Sequence, residues 1–229
     1  MLNMIKLDWL GMRKYRNRIA VAVISSFVWG VVFGAEVLLP MLVWGMFDTS
    51  LYCYDAEEKG KLNQLYLTLP ITRGTLITAR YSMSLILQAI GIAAGIVLTI
   101  AFSAIMQGRT VIRLHTFSPS PQSMFLIICA SLLFCAILSL TMHPILHKFG
   151  YAKAKIVGYV LPMYGSIALI VAFIILAPRI GAIGNIAQSV SQWVNGNIAL
   201  AALAMLCAAA LLLAASFALS HKLYAKREF

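Results

Sequence analysis

Charge is scarce in this chain of 229 residues: 11% of positions are Asp, Glu, Lys or Arg, and only 7 of those are acids. Soluble domains carry about 25% charged and about 45–50% apolar residues. Here 62% are hydrophobic and the mean hydropathy is +0.90, which excludes a soluble fold and leaves no room for a separate soluble domain. Catalytic signatures are missing as well: there is no Walker glycine loop, no GxSxG and no serine with an obvious base. His143 and His147 stand four apart, but no glutamate lies between them in the HExxH manner and no third ligand is near in sequence. Cys53, Cys129, Cys135 and Cys207 form no CxxC pair and lie in or beside apolar runs, as buried reduced thiols do.

What the chain has instead is long apolar runs. A helical span needs roughly 17 to 25 such residues, and the runs predict an all-α polytopic membrane protein, one domain over residues 1–229. Its six spans are 19–35, 39–54, 81–106, 125–146, 156–177 and 198–220. Between Arg18 and Asp55 only Glu36 and Asp48 are charged, and these 36 residues cover ~54 Å as helix, enough for two short crossings. The turn between them is expected at Glu36 to Pro40, where an acid meets a helix-breaking proline. Gly30 and Gly34, and Gly91 and Gly95, recur at four-residue spacing, and the last span is rich in alanine. Such small faces let helices approach closely in lipid.

Basic residues are distributed unevenly. Fifteen of the 18 lysines and arginines fall in residues 1–18, 55–80, 147–155 and the tail, against Arg109, Arg113 and Arg179 on the other side. By the positive-inside rule both termini and the loop 55–80 are cytoplasmic. Basic ends of this kind also account for the net charge of +11 without nucleic acid as a partner. Residues 1–18 place Leu2, Ile5, Trp9 and Met12 on one stripe among Lys6, Arg13, Lys14, Arg16 and Arg18. They read either as an interfacial helix or as a plain basic flank, uncleaved in both cases. On the outer side, residues 107–123 form a polar loop with Pro119 and Pro121. The segment 178–196 repeats Ile180, Ile183, Ala187, Val190 and Val194 beside Trp193, as an amphipathic helix that is surface-lying or re-entrant.

Two features carry the functional expectation. Asp48 is the one acid well inside a span, either lining a polar cavity or held at the interface. The longest charged interruption is DAEEKGKLNQLYLTLPITRGTLITARY, from Asp55 to Tyr81. Its glutamates Glu57 and Glu58 begin the EExxxR pair of CAAX-processing intramembrane proteases, but Leu62 occupies the arginine position and the match fails. The acids of Asp55 to Lys61 suit a helix start, and Leu62, Leu65, Tyr66 and Leu69 supply an apolar side. Pro70 stops that helix and Thr72 caps the next, with Arg73 near its start. The product is a short amphipathic helix tied to two spans, either gripped by a partner or packed on its own bundle.

The stretch EEKGKLNQLYLTLPITRGTLITARY resembles the first cytoplasmic loop of ABC-2 type transporter permeases. HPILHKFGYAKAK, His143 to Lys155, is similar to the loop between the fourth and fifth spans in the branch of that family that exports phenol-soluble modulins and other antimicrobial peptides. The resemblance implies a bacterial plasma-membrane permease with no ATPase site or cofactor of its own. Its partners would be a second permease, identical or sister, and a separate ABC ATPase that holds ATP and Mg2+. Glu57, Glu58, Lys59, Leu62, Tyr66, Leu69, Pro70, Thr72 and Arg73 become the ATPase-docking set, with Phe149, Gly150, Tyr151 and Lys153 a second contact. Membrane lipid surrounds the chain, and the implied cargo is an amphipathic peptide. Export of lipid or drug, or a stand-alone immunity protein, is the alternative.

Overall fold

The computed structural model describes residues 2–12, 16–60, 72–106, 120–161, 164–165, 168–169, 172 and 181–225. The described residues are helical apart from short connections. In order they form α1 (Leu2–Met12), α2 (Arg16–Phe33), α3 (Ala35–Lys59), α4 (Arg73–Met106), α5 (Pro121–Phe149), the short α6 (Tyr151–Ala154), a π-helical segment (Lys155–Val160), α7 (Gly181–Gly196) and α8 (Ile198–Ala225). Among the described residues four helices are long and apolar enough to cross a membrane: Ala35–Lys59, Gly74–Ile105, Pro121–Phe149 and Ile198–Tyr224. The first expected span corresponds to the shorter apolar helix Asn17–Phe33. Half of the fifth, 156–177, lies outside the described residues.

α3 is the central helix. Leu39, Val43, Phe47, Leu51 and Tyr54, spaced three or four apart, form one buried stripe against Cys135, Leu138, Met142 and Leu146 of α5. Its other faces meet α2 and α4 through small residues. A methyl group on Gly45 would sit 2.7 Å from Ala22 Cβ, and methyl groups on Gly91 and Gly95 would press on the α3 backbone at Val43 and Leu39, each 3.2 Å from Cα. The Gly91 and Gly95 face therefore packs within one chain. Outside this core, Ile24, Val28 and Val31 of α2, Val97 and Ile100 of α4, and Leu203 and Leu211 of α8 are exposed, the surface a bilayer would cover.

The first turn differs from expectation. α2 ends and α3 begins at Gly34, whose φ of 106° is a conformation L side chains rarely adopt, while Pro40 lies inside α3. Gly34 N–H donates to Gly30 (2.9 Å) and its carbonyl accepts from Val37 (3.2 Å), so one residue closes one helix and opens the next. Gly34 thus serves the turn instead of sharing a helical packing face with Gly30. Pro40 removes only one hydrogen bond, which a span packed on neighbours tolerates.

Caps explain other boundaries. Thr72 Oγ1 accepts from Thr75 N–H at 3.2 Å to start α4, as its sequence position predicts. Ser120 Oγ accepts from Ser123 N–H ahead of Pro121, and α5 stops at Gly150, φ 76°, with Gly150 N–H bonded to Leu146. α7 forms within the predicted outer segment and leaves Ile186, Val190 and Trp193 exposed. Cys53, Cys129 and Cys135 are buried, whereas Cys207 departs from the expectation and is exposed on α8.

Candidate functional site

Those sites picked out from sequence that lie among the described residues gather toward one end of the bundle, where α1, the last turn of α3, the first turns of α4, the end of α5, α6 and the last turn of α8 meet. Asp55 to Lys59 belong to this last turn of α3 and do not start a new helix. There the helix dipole disfavours acids, and each of two acids has a cation. Lys59 Nζ lies 2.7 Å from Asp55 Oδ2, and Arg80 Nη2 lies 2.8 Å from Glu57 Oε2.

Arg80 holds this end together. It is 2% exposed, two turns into α4, and its Nε lies 3.3 Å from Asp8 Oδ2 of α1 while its guanidinium rests 4.9 Å from the centre of the Tyr54 ring. One planar cation thereby joins α1, α3 and α4, a geometry that the guanidinium fork suits and an ammonium does not. Burial raises the pKa of Asp8 above its ordinary value of 3.8, with Arg80 opposing the shift.

Beneath Arg80 runs a second polar layer. Tyr54 Oη lies 2.8 Å from His143 Nδ1 and 2.9 Å from His147 Nε2. A phenol has one proton, so it donates to one imidazole and accepts from the other, which must carry N–H on that nitrogen. Both histidines that sequence weighed as metal ligands are thus engaged by one tyrosine, and the described residues hold no group of three possible metal ligands. The Tyr81 ring lies 4.6 Å from His143, and its hydroxyl meets Ser216 (2.6 Å) and Ser220 (2.8 Å) of α8. Ser216 donates its proton to Ser139 carbonyl, so Tyr81 donates to Ser216 and accepts from Ser220.

The two loop motifs converge. A cleft of about 10 Å³, room for one water at most, is lined by Tyr54, Glu57, Glu58, Leu146, His147, Gly150, Tyr151 and Tyr224. Glu58 and Lys59 are exposed beside it, as are Phe149 and Lys153 on the second loop, and Lys148 Nζ sits 4.8 Å from the centre of the Phe149 ring. Tyr151 is buried, and its phenol is pushed up by burial and then by the charge of Tyr52, Asp55 and Asp48, with Arg18 opposing. Asp48 is half-buried on the α3 face toward Tyr151, and Arg18 lies 5.0 Å from the centre of the Tyr52 ring nearby. Thr72 is exposed at its cap, and the side chain of Arg73 lies outside the described residues, as do Leu62, Tyr66, Leu69 and Pro70. Glu57 faces inward, 6% exposed, and pairs with Arg80.

Sequence reasoning passed over Asp8, Tyr54, Arg80 and Tyr81. Asp8 is the single acid of a basic segment, and Arg80 stands at the mouth of an apolar run, and those were the available signals. Their pairing across 23 to 72 residues has no local signature.

The chain matches the model of the ABC-2 family transporter protein over residues 3–225. No curated protein and no solved structure matches it. A match over nearly the whole length, on a helical bundle with four long apolar helices, makes this chain a member of the ABC-2 transporter family and a multi-pass transmembrane permease subunit.

Proposed function

We propose that this chain is the permease half of an ATP-driven exporter, and that a separate ABC ATPase docks on the end of the bundle held by Arg80. The observation that carries the reading is the convergence of the two loop motifs on the cleft between Glu57, Glu58, Gly150 and Tyr151. The docking surface comprises Glu58, Lys59, Leu62, Tyr66, Leu69, Pro70, Thr72 and Arg73, flanked by Phe149, Gly150 and Lys153, with Tyr151 buried behind them. Glu57 positions it from within.

An even number of spans keeps both termini on one side of the membrane, and the excess of Lys and Arg at this end supports reading that side as cytoplasmic. Two permeases, identical or sister, pair with two ATPases, which hold ATP and Mg2+. Closure of the ATPases pushes on the segment that joins α3 to α4. Since Arg80 fastens the last turn of α3 to α4 and α1, the push moves the helices as a unit and reshapes the space between permeases. The cargo is an amphipathic peptide. The reading is supported by exposed helix faces rich in Phe, Val, Ile and Leu with few charges, a surface that a helical peptide can reach from the membrane.

Reconstitution with the ATPase tests this. Glu58→Ala with Leu62→Ala abolishes stimulation of ATP hydrolysis by amphipathic helical peptide while leaving the thermal stability of the permease unchanged. Normal stimulation in the double variant refutes the docking assignment.

A further inference from the structure

A second concavity lies on the same end of the molecule but on its flank, between α1 and α4. It has a volume of about 350 Å³ and is lined by Ile5, Lys6, Trp9 and Leu10 of α1 and by Met83 and Ile86 of α4. Its exposed lining is entirely apolar, so Lys6, itself exposed, contributes its aliphatic stem while its ammonium lies outside the lining. Met83 forms the buried floor, while Trp9, Leu10 and Ile86 are 42 to 64% exposed on the rim. Relative to Arg80, Met83 and Ile86 lie ~4.5 and ~9 Å further along α4 at 1.5 Å per residue, which puts the groove one to two turns inside the charged end.

We infer that this groove is a binding site for one acyl chain of an anionic glycerophospholipid, with the Lys6 ammonium on the phosphate. Charge decides the headgroup. The one acid of α1, Asp8, is 4% exposed and turned to Arg80, which leaves Lys6 as the charge at the groove, followed in sequence by Arg13, Lys14, Arg16 and Arg18. Size decides the occupant: the volume is at the lower end of the ~300–1,000 Å³ typical of small-molecule pockets and admits a chain but no helix. A cationic peptide would also meet repulsion at the mouth. Trp9 on the rim suits the ester level of a bilayer, where indoles concentrate. The site rests on membrane residence alone and stands whether or not an ATPase docks on the loops.

The test uses the full-length chain with Trp29, Trp44 and Trp193 replaced by phenylalanine, so that Trp9 reports alone, in nanodiscs containing phosphatidylglycerol or phosphatidylcholine with brominated acyl chains. One lysine at the membrane surface gives about a fivefold preference for the anionic lipid. At equal mole fraction brominated phosphatidylglycerol therefore quenches Trp9 with about fivefold higher apparent affinity than brominated phosphatidylcholine. Lys6→Gln removes the preference, Lys6→Arg keeps it, and Ile86→Phe reduces quenching by both. Retention of phosphatidylglycerol by the protein with its tryptophans intact, followed by native mass spectrometry through delipidation and lost in Lys6→Gln, gives the same answer if the single-tryptophan chain does not fold. Equal quenching by the two lipids, or a preference that survives Lys6→Gln, overturns the site. Shielding of Trp9 from both lipids means that a second protein copy covers the groove, which overturns it as well.

Discussion

Arg80 Nη2 lies 2.8 Å from Glu57 Oε2, and both side chains are almost wholly withdrawn from solvent. These two residues bracket residues 61–71, one on the last turn of α3 and the other two turns into α4. Their ion pair makes the ends of the loop a single mechanical unit, and Asp8 extends that unit to α1.

Removing Arg80 takes its guanidinium away from two buried carboxyl groups, Asp8 and Glu57. Breaking a buried pair from one side costs about 3–5 kcal/mol. Arg80→Met is expected to lower the detergent unfolding temperature sharply, and adding Asp8→Asn and Glu57→Gln recovers most of the loss. A triple variant no more stable than Arg80→Met would mean that Arg80 acts through packing and not through charge.

Tyr54→Phe takes from buried His143 Nδ1 the hydroxyl it bonds and removes the same bond from His147 Nε2. An unsatisfied buried polar group costs about 1–3 kcal/mol, so this variant loses stability although only one oxygen is removed. Equal melting of Tyr54→Phe and the unaltered chain would contradict the bridging role.

Close approach of α2 and α3 depends on Gly45 and Ala22. A Cβ at Gly45 meets Ala22 Cβ at 2.7 Å, and overpacking of this kind costs about 1–3 kcal/mol. Gly45→Ala destabilises, and Ala22→Gly in the same chain restores stability by moving the methyl group across the interface. Failure of the double variant to recover would show that the two helices are not in this register.

Asp8 supplies a pH signature. Burial outweighs Arg80 and raises its pKa above 3.8, so the folded chain holds the proton more tightly than the unfolded one. Its contribution to stability is fully present below pH 3.8 and is lost as pH rises through the raised value. Asp8→Asn flattens that part of the stability profile. An unchanged slope in Asp8→Asn assigns the pH dependence to other groups.

Much of this was legible in the amino-acid order, and the exceptions have a common physical cause. The apolar runs marked α3, α4, α5 and α8, the Thr72 hydroxyl marked a helix start, and the polar and apolar alternation after Pro178 marked α7. Pro40 misdirected the first turn because a proline in a packed span costs one hydrogen bond, whereas Gly34 supplies the left-handed φ that the turn requires. Which charges turn inward was not legible. In helices apolar on nearly every face, periodicity carries little information about the buried side, and Asp8, Glu57 and Arg80 are partners only through the tertiary fold. The docking surface stays tied to motif resemblance, since Leu62, Tyr66, Leu69 and Pro70 lie outside the described residues.

Docking of an ABC ATPase is tested most directly by affinity purification of the tagged chain from its native membrane in mild detergent, with mass spectrometry of everything that accompanies it. Stoichiometric recovery of an ABC ATPase, lost when Glu58 and Leu62 are both replaced by alanine, is the predicted result. Recovery of the permease without any ATPase, under conditions that keep a known ABC transporter intact, would contradict it.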